Sequence, residues 1–405
     1  MSALDQKRWN DFISTSLPTR REEPWKYTDV SFLTKKKFAD PKRLDAEYLR
    51  DKVNAYRIHH GESIILVCVN GYFMPTLSDT AKLPQEVIVR SLNEALIDQS
   101  ELIQQHWLGN INAKRYPFAS VNTALFTDGL FLLLPDNCEI NIPVHLLSLA
   151  ADENEFIAQP HHLIVVGAHS KLTLVEEYAA ATTFPYFMNI VTTIRIGNNA
   201  RFEHYKIQTE NDVAAHMANT FIHQKQDSIA AFMNFSSGGI FARDDLVVKL
   251  QETGAECRTA GFYRLQRNNQ YIDHHVDITH NAARSHSEML YKGILDKKSQ
   301  AVFNGRLCVE KEAQKILAYQ ANHNLLISNN AEVYSKPELE IYADDVKCKH
   351  GATTGQLDQD ALFYLRSRGI GETEAMNILL QGFAEEIIQR IGHPGIRQRA
   401  EEAIL

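Results

Sequence analysis

A chain of 405 residues, 44% of them apolar, can bury a large core and usually divides into more than one compact unit, solenoids being the standing exception. Its formal net charge of −8 leaves no basic footprint, which argues against nucleic acid or an anionic membrane as the main partner. The five cysteines, Cys68, Cys138, Cys257, Cys308 and Cys348, are odd in number, scattered and never arranged as CxxC, so they predict reduced thiols in a cytoplasmic protein and not a disulfide framework.

Met1 to Arg8 contain no apolar signal-like run, and the purely apolar stretches, Leu130 to Pro135 among them, are far too short to span a bilayer. The first 55 residues read as helical and charged: Ala3 to Thr15 as one helix, Asp40 to Val53 as another opening at Pro41. Between them Trp25 and Tyr27 sit among charges, as aromatics that anchor a loop onto the core. Gly61 to Tyr72 has strand character with a turn at Asn70-Gly71, and Cys68 within it reads as a small buried hydrophobe. Residues 85 to 114 read as helix, with Leu92, Ala95, Leu96, Leu102 and Ile103 on one face. Residues 1–129 are thus expected to form an N-terminal helical and α+β region.

From Leu130 to Gly355 the pattern changes to short β-rich runs without helical periodicity. Turn signals at Gly167, Gly197, Asp227, Gly254 and Asn281 are spaced by 30, 30, 27 and 27 residues. Each is followed by a partly alternating run such as Lys171 to Glu176 or Arg201 to Ile207. A β-sandwich would turn every 8–12 residues without so long a superperiod, so the spacing favours a β-helix over residues 130–355. Beyond it Asp358 is placed to cap a helix through Arg368, with Gly369 just past its end. Thr373 is expected to cap the next helix, and His393-Pro394-Gly395 precedes a last one. Residues 356–405 form the expected C-terminal helical module.

Two kinds of candidate site emerge. Histidines cluster at His161-His162, at His216 and His223, and at His274-His275, His280 and His286, where hydrogen-bonded structural residues compete with a metal site between coils. In Val346-Lys347-Cys348-Lys349-His350 the two-residue period of a strand puts Cys348 and His350 on one face and both lysines on the other. Thiolate and imidazole suit iron, zinc or copper, yet a closed site needs about four ligands, so this is half a site. The flanking lysines are expected to bias Cys348 toward thiolate. The cysteines lack ferredoxin spacings, and no Gly-x-x-x-x-Gly-Lys-Ser/Thr loop occurs, so no ATP site is expected.

A long C-terminal stretch carries a resemblance. Its residues are Gln320, Asn322 to Leu326, Ala331, Ser335-Lys336-Pro337-Glu338-Leu339-Glu340-Ile341, Asp344 to Cys348, His350 to Thr353, and Phe363-Tyr364-Leu365-Arg366-Ser367-Arg368-Gly369. With Leu17 to Thr28 (LPTRREEPWKYT) at the other end, these resemble the SufB/SufD family of iron–sulfur cluster assembly proteins, on its SufD side. Gly351 after His350 follows the SufD pattern, where SufB typically carries Glu.

The resemblance implies a right-handed parallel β-helix and a non-enzymatic subunit of a SufB–SufC–SufD complex, supporting ATP-driven assembly of nascent clusters and their transfer to apoproteins. It places His350, and with less support Cys348, at the heterodimer interface with SufB, as ligands of a transient iron–sulfur cluster that the partner completes. It places Tyr364, Arg366 and Arg368 on or beside the surface where the SufC ATPase docks, with core packing as the other reading; Phe363 is expected to be a packing residue. It also associates reduced flavin with the complex, although no flavin motif occurs in the sequence. A homodimer of the isolated chain stays open. The alternative from another class is a stand-alone β-helix enzyme acting on polysaccharide, which the free cysteines and the absent signal-like run oppose.

Overall fold

In a computed structural model of the protein, residues 3–58, 63–107 and 111–404 are described. Two ten-stranded sheets face one another, and the chain alternates between them. The first contains Leu130–Leu134, His161–Val166 and Tyr186–Ile196 and ends at Glu332–Ile341; the second contains Val144–Ala150 and Lys171–Ala180 and ends at Val346–Gln356. From Leu130–Leu134 and Val144–Ala150 onward, successive strands of each sheet pair in parallel, as in Arg201–Gln208 with Ile229–Ser236. The result is the expected parallel β-solenoid, with about 8 turns.

The turns explain the superperiod. A residue with positive φ stands at Asn137, His169, Asn199, Asp227, Gly254, Arg284 and Lys315, at intervals of about 30 residues, as solenoid coils require. The backbone N–H of each donates to the carbonyl of the next coil's turn, for example Asn199 to Gln226 and Lys315 to Asp345, so the turns form a ladder of their own. Of these only Gly254 adopts that conformation without a Cβ penalty.

Inward-facing Leu172, Leu174, Ile194, Phe202, Ile222, Phe232, Val248 and Ile278 fill the space between the sheets. The outer faces are covered separately. Against the first sheet lie Trp9, Phe12, Trp25, Leu33, Phe118 and Leu125 from the N-terminal segments. Against the second lie Leu380, Ala384, Ile387, Ile396 and Ile404 of the C-terminal helices. Within the core, glycine is required where the coils hold tyrosine: a Cβ on Gly261 would stand 2.2 Å from the Tyr291 ring, and one on Gly293 2.0 Å from that of Tyr263.

Helix Ala3–Thr15 and the Asp358-capped helix Gln359–Ser367 match expectation, as does Gly369 with φ of 89°. The second N-terminal helix does not open at Pro41. It runs Ala46–Asn54 from an Asp45 cap, because Lys42 N–H is held by Asp152 Oδ2 and its carbonyl by Asn70 Nδ2, keeping residues 40–45 non-helical. Residues 85–114 are not one helix: Ile88–Ser91 is a strand antiparallel to Leu130–Leu134, then Leu92–Asp98 and Ser100–His106 are helical, while 108–110 lie outside the described residues. The expected strand from Gly61 begins at Ile64, residues 59–62 also lying outside those described. Ile64–Val69 pairs in parallel with Val144–Ala150 and so extends the second sheet. Helix Glu372–Ile388 is capped by Gly371 rather than Thr373, with Glu372 and Glu374 favourably placed in its first turn. Among the described residues no helix is long and apolar enough to cross a membrane.

Candidate functional site

The solenoid ends on two strands that pair on one side only. Val346–Gln356 takes its hydrogen bonds from Ile316–Leu326, in a register that sets Cys348 against Ala318 and His350 against Gln320; Glu332–Ile341 pairs with Gln300–Val309. Their outer edges present backbone donors and acceptors with no partner strand among the described residues.

Cys348 is half-buried and packs with Val346 against the inter-sheet core, while His350, on the same face two residues on, is exposed because no further coil covers it. Lys347 and Lys349 are exposed on the opposite face. Burial raises the Cys348 thiol above its ordinary value, which corrects the expected bias toward thiolate: the strand's pleat turns the ammonium groups away from the sulfur and into water. Beneath His350, Gln320 donates from Nε2 to the Gly305 carbonyl at 2.9 Å, and its Oε1 is buried without a partner. Ser335 Oγ, from the terminal strand of the first sheet, is likewise buried and unpartnered. The mouth therefore offers a thiol, an imidazole and two unsatisfied polar atoms. Among the described residues no three His, Cys, Asp or Glu side chains gather to hold a metal.

The polar residues of the motif ahead of the mouth serve the core. Gln320, Asn322 and Asn324 point inward; Asn322 Nδ2 donates to Tyr263 Oη and to the Tyr291 carbonyl, both at 3.2 Å, and Asn324 Nδ2 to Asn322 Oδ1 at 2.7 Å. His323 points outward and meets Thr353 Oγ1 at 2.7 Å.

The N-terminal motif reaches the same end of the molecule. Trp25 is 1% exposed under the Arg243 guanidinium, 3.9 Å from its ring centroid, and Arg243 is paired with Asp245 and Asp273 at 3.0 and 2.9 Å. Tyr27 stacks on Tyr334 with ring centroids 4.3 Å apart, and Lys336 Nζ bridges Glu23 and Glu338, each at 2.6 Å. The anchoring role expected of Trp25 and Tyr27 is thus observed, and the two motif stretches touch in space. Gln320 and Ser335 are part of the motif stretch, but their unsatisfied polar atoms and the Arg243–Asp273 pair have no signal in the sequence, since burial and pairing depend on neighbouring coils.

On the helical module Tyr364 is 57% exposed, Arg366 lies 3.4 Å from Glu372, and Arg368 donates to Tyr364 Oη at 3.2 Å while covering its ring. Phe363 was expected to pack inward but is 73% exposed; helical geometry turns the adjacent Leu362 into the core instead.

Several of the clustered histidines are held by hydrogen bonds within the fold, although Nδ1 of His223 has no partner. His161 bonds Asn122 and stacks on Trp107, His162 accepts from the Leu130 N–H, His216 pairs with Glu210, and His280 lies between Ser285 and Ser287. His274 lies beside Tyr263 and Tyr291 inside the solenoid, whereas Asp277 faces outward to Arg115 and Arg306, so the pattern His274, Asp277, His280 does not converge.

Fold and site together define a parallel solenoid whose last strands pair on one side only among the described residues, with Cys348 and His350 on one face of the terminal strand. A model of the SUF system FeS cluster assembly SufBD core domain matches residues 148–383, and one of the SufBD protein N-terminal region matches residues 1–146. An iron–sulfur cluster assembly SufBD family protein of Synechocystis is 34% identical over 96% of this chain and 87% of its own length. The iron–sulfur cluster assembly protein SufD of Escherichia coli is 30% identical over 97% and 90%, and that of Bacillus subtilis 24% identical over 96% and 90%. The chain belongs to the SufB/SufD family of iron–sulfur cluster assembly proteins.

Proposed function

We propose that this chain is a cytoplasmic, non-catalytic SufD-like subunit of a SufB–SufC–SufD complex. The observation that carries the reading is the unpaired terminal coil: its free strand edges suit pairing with a related solenoid, and His350 stands exposed on it beside the half-buried Cys348. Iron and sulfide are the cargo, held transiently between this half-site and ligands of a SufB partner. The raised thiol fits a supporting role for Cys348 beside the exposed His350. Residues 356–405 would form the docking module for the SufC ATPase, through the exposed Phe363, Tyr364, Arg366 and Arg368. Reduced flavin, if used, would be held by the complex as a whole. Membership of the family supports this reading over that of a polysaccharide enzyme.

Co-purification with SufB and SufC tests this directly, comparing wild type, His350→Ala and Cys348→Ala for complex formation and for iron and sulfide content. An intact complex that loses iron in His350→Ala, with a smaller loss in Cys348→Ala, is expected. Unchanged iron and sulfide in both variants would reduce the chain to a scaffold, and a wild-type chain that binds neither protein would overturn the assignment to the complex.

A further inference from the structure

A groove runs along the outer face of the first sheet, several strands short of the open end, where residues 105–107 and 111–116 stand over Tyr186–Ile196, Ala215–Gln224 and Phe241–Leu250. Two adjoining cavities of about 410 and 620 Å³ share Arg195 and His223 in their walls, and their sizes fall in the range of small-molecule sites. The parallel register places Arg195 beside His223 and His223 beside Lys249, three basic side chains on successive strands. Lys225 and His106 line the second cavity.

Like charges directly opposite one another on a ladder destabilise a sheet unless something compensates them. Elsewhere on this face the compensation is internal: Arg306 pairs with Asp277 and Glu340 at 2.8 and 2.6 Å, and Arg115 with Asp277 at 2.5 Å. The basic row has none. Arg195 donates to the backbone carbonyls of His106 and Trp107 at 3.0 and 3.1 Å, and among the described residues neither Lys225 nor Lys249 has a carboxylate partner. Nδ1 of His223 is buried without a hydrogen-bond partner. Burial, then the neighbouring Arg195 and Lys249, push His223 down to about 4, and burial lowers Arg195. The acidic groups that line the groove are already engaged, Asp277 with the two arginines and Asp136 by the Ala168 N–H. Beside the row, Ile111, Tyr116, Phe221 and Val247 form an apolar wall, with Tyr116 edge-on to Phe221 at 5.3 Å between centroids.

We propose that this groove binds a phosphorylated small molecule, its phosphate on the Arg195–His223–Lys249 row and a flat ring against Phe221 and Tyr116. The site is separate from the terminal coil and does not rest on the cluster-assembly reading. Titration calorimetry on the purified full chain at low salt, with AMP and ribose 5-phosphate as probes of equal charge, tests both halves. AMP is expected to bind saturably and more tightly than ribose 5-phosphate. Its affinity should fall about tenfold in Lys249→Glu, whose exposed position leaves the fold intact, and should weaken with added salt. Absence of saturable AMP binding to the wild type, or binding unchanged by Lys249→Glu, would overturn the site; equal affinity for the two probes would overturn the role of the aromatic wall.

Discussion

Lys315 shows how a single residue carries the architecture and at what cost. Its φ is 62°, a conformation that costs a residue with a Cβ about 1 kcal/mol, and it persists because its N–H is engaged by the Asp345 carbonyl of the last coil. Lys315→Gly should therefore raise stability by up to about 1 kcal/mol, read as a higher denaturation midpoint in urea. An unchanged or lowered midpoint would mean that the lysine side chain contributes as much as its conformation costs. Cys348 illustrates the limit of spacing arguments at the same scale. Its neighbours are lysines in sequence, but the pleat points them away and burial sets the protonation of the sulfur.

Among the elements, the C-terminal helix Pro394–Ile404 is tied to the solenoid by more than apolar contact. Glu177 is fully buried on the second sheet, where His145 Nε2 lies 3.0 Å from Oε2 and Arg399 Nε donates to Oε1 at 3.0 Å. Burial alone would raise this carboxyl, but His145 and Arg399 override it and hold it below its usual value. A carboxyl with a depressed folded-state pKa contributes stability above its unfolded value, about 4.3, and that contribution disappears as pH falls through the folded value. Arg399→Ala leaves Glu177 buried with one partner and should cost about 3 kcal/mol at pH 7, with a weaker dependence of stability on pH on the acid side than in the wild type. Equilibrium unfolding in urea at pH 7 and pH 4 measures both; a loss below half a kcal/mol would show that apolar packing alone seats the helix.

At the level of the whole molecule, solenoid coils contact only their neighbours, so the last coil is at once the least supported part and the one free to pair. Gly351 lies there with nothing within 4 Å of an added Cβ and with no positive φ. The fold does not require glycine at this position, and Gly351→Glu should unfold at the same urea concentration as wild type while altering pairing with a partner solenoid. A marked loss of stability in the isolated chain would show that the position is structural after all. The meeting of Tyr27 with Tyr334 and of Glu23 with Lys336 adds that the N-terminal strap braces this end, so the motifs that flank the chain in sequence serve one region in space.

The sequence by itself determined the solenoid, through a superperiod near thirty residues, and the capped helix after Asp358, because both rest on local rules of turns, alternation and capping that neighbouring residues satisfy. It also determined the pairing of Cys348 with His350 on one strand face, which follows from a period of two. Tertiary structure decided the rest. Whether residues 85–114 formed helix or strand turned on Leu130–Leu134, which offered Ile88–Ser91 an edge; where the second helix began turned on Asp152 and Asn70, far away in sequence. Phe363 facing water, the protonated thiol of Cys348 and the uncompensated Arg195–His223–Lys249 row all depend on which coil lies above or beside a residue. Burial and charge pairing are sums over neighbours brought together by folding, and no local pattern contains those sums.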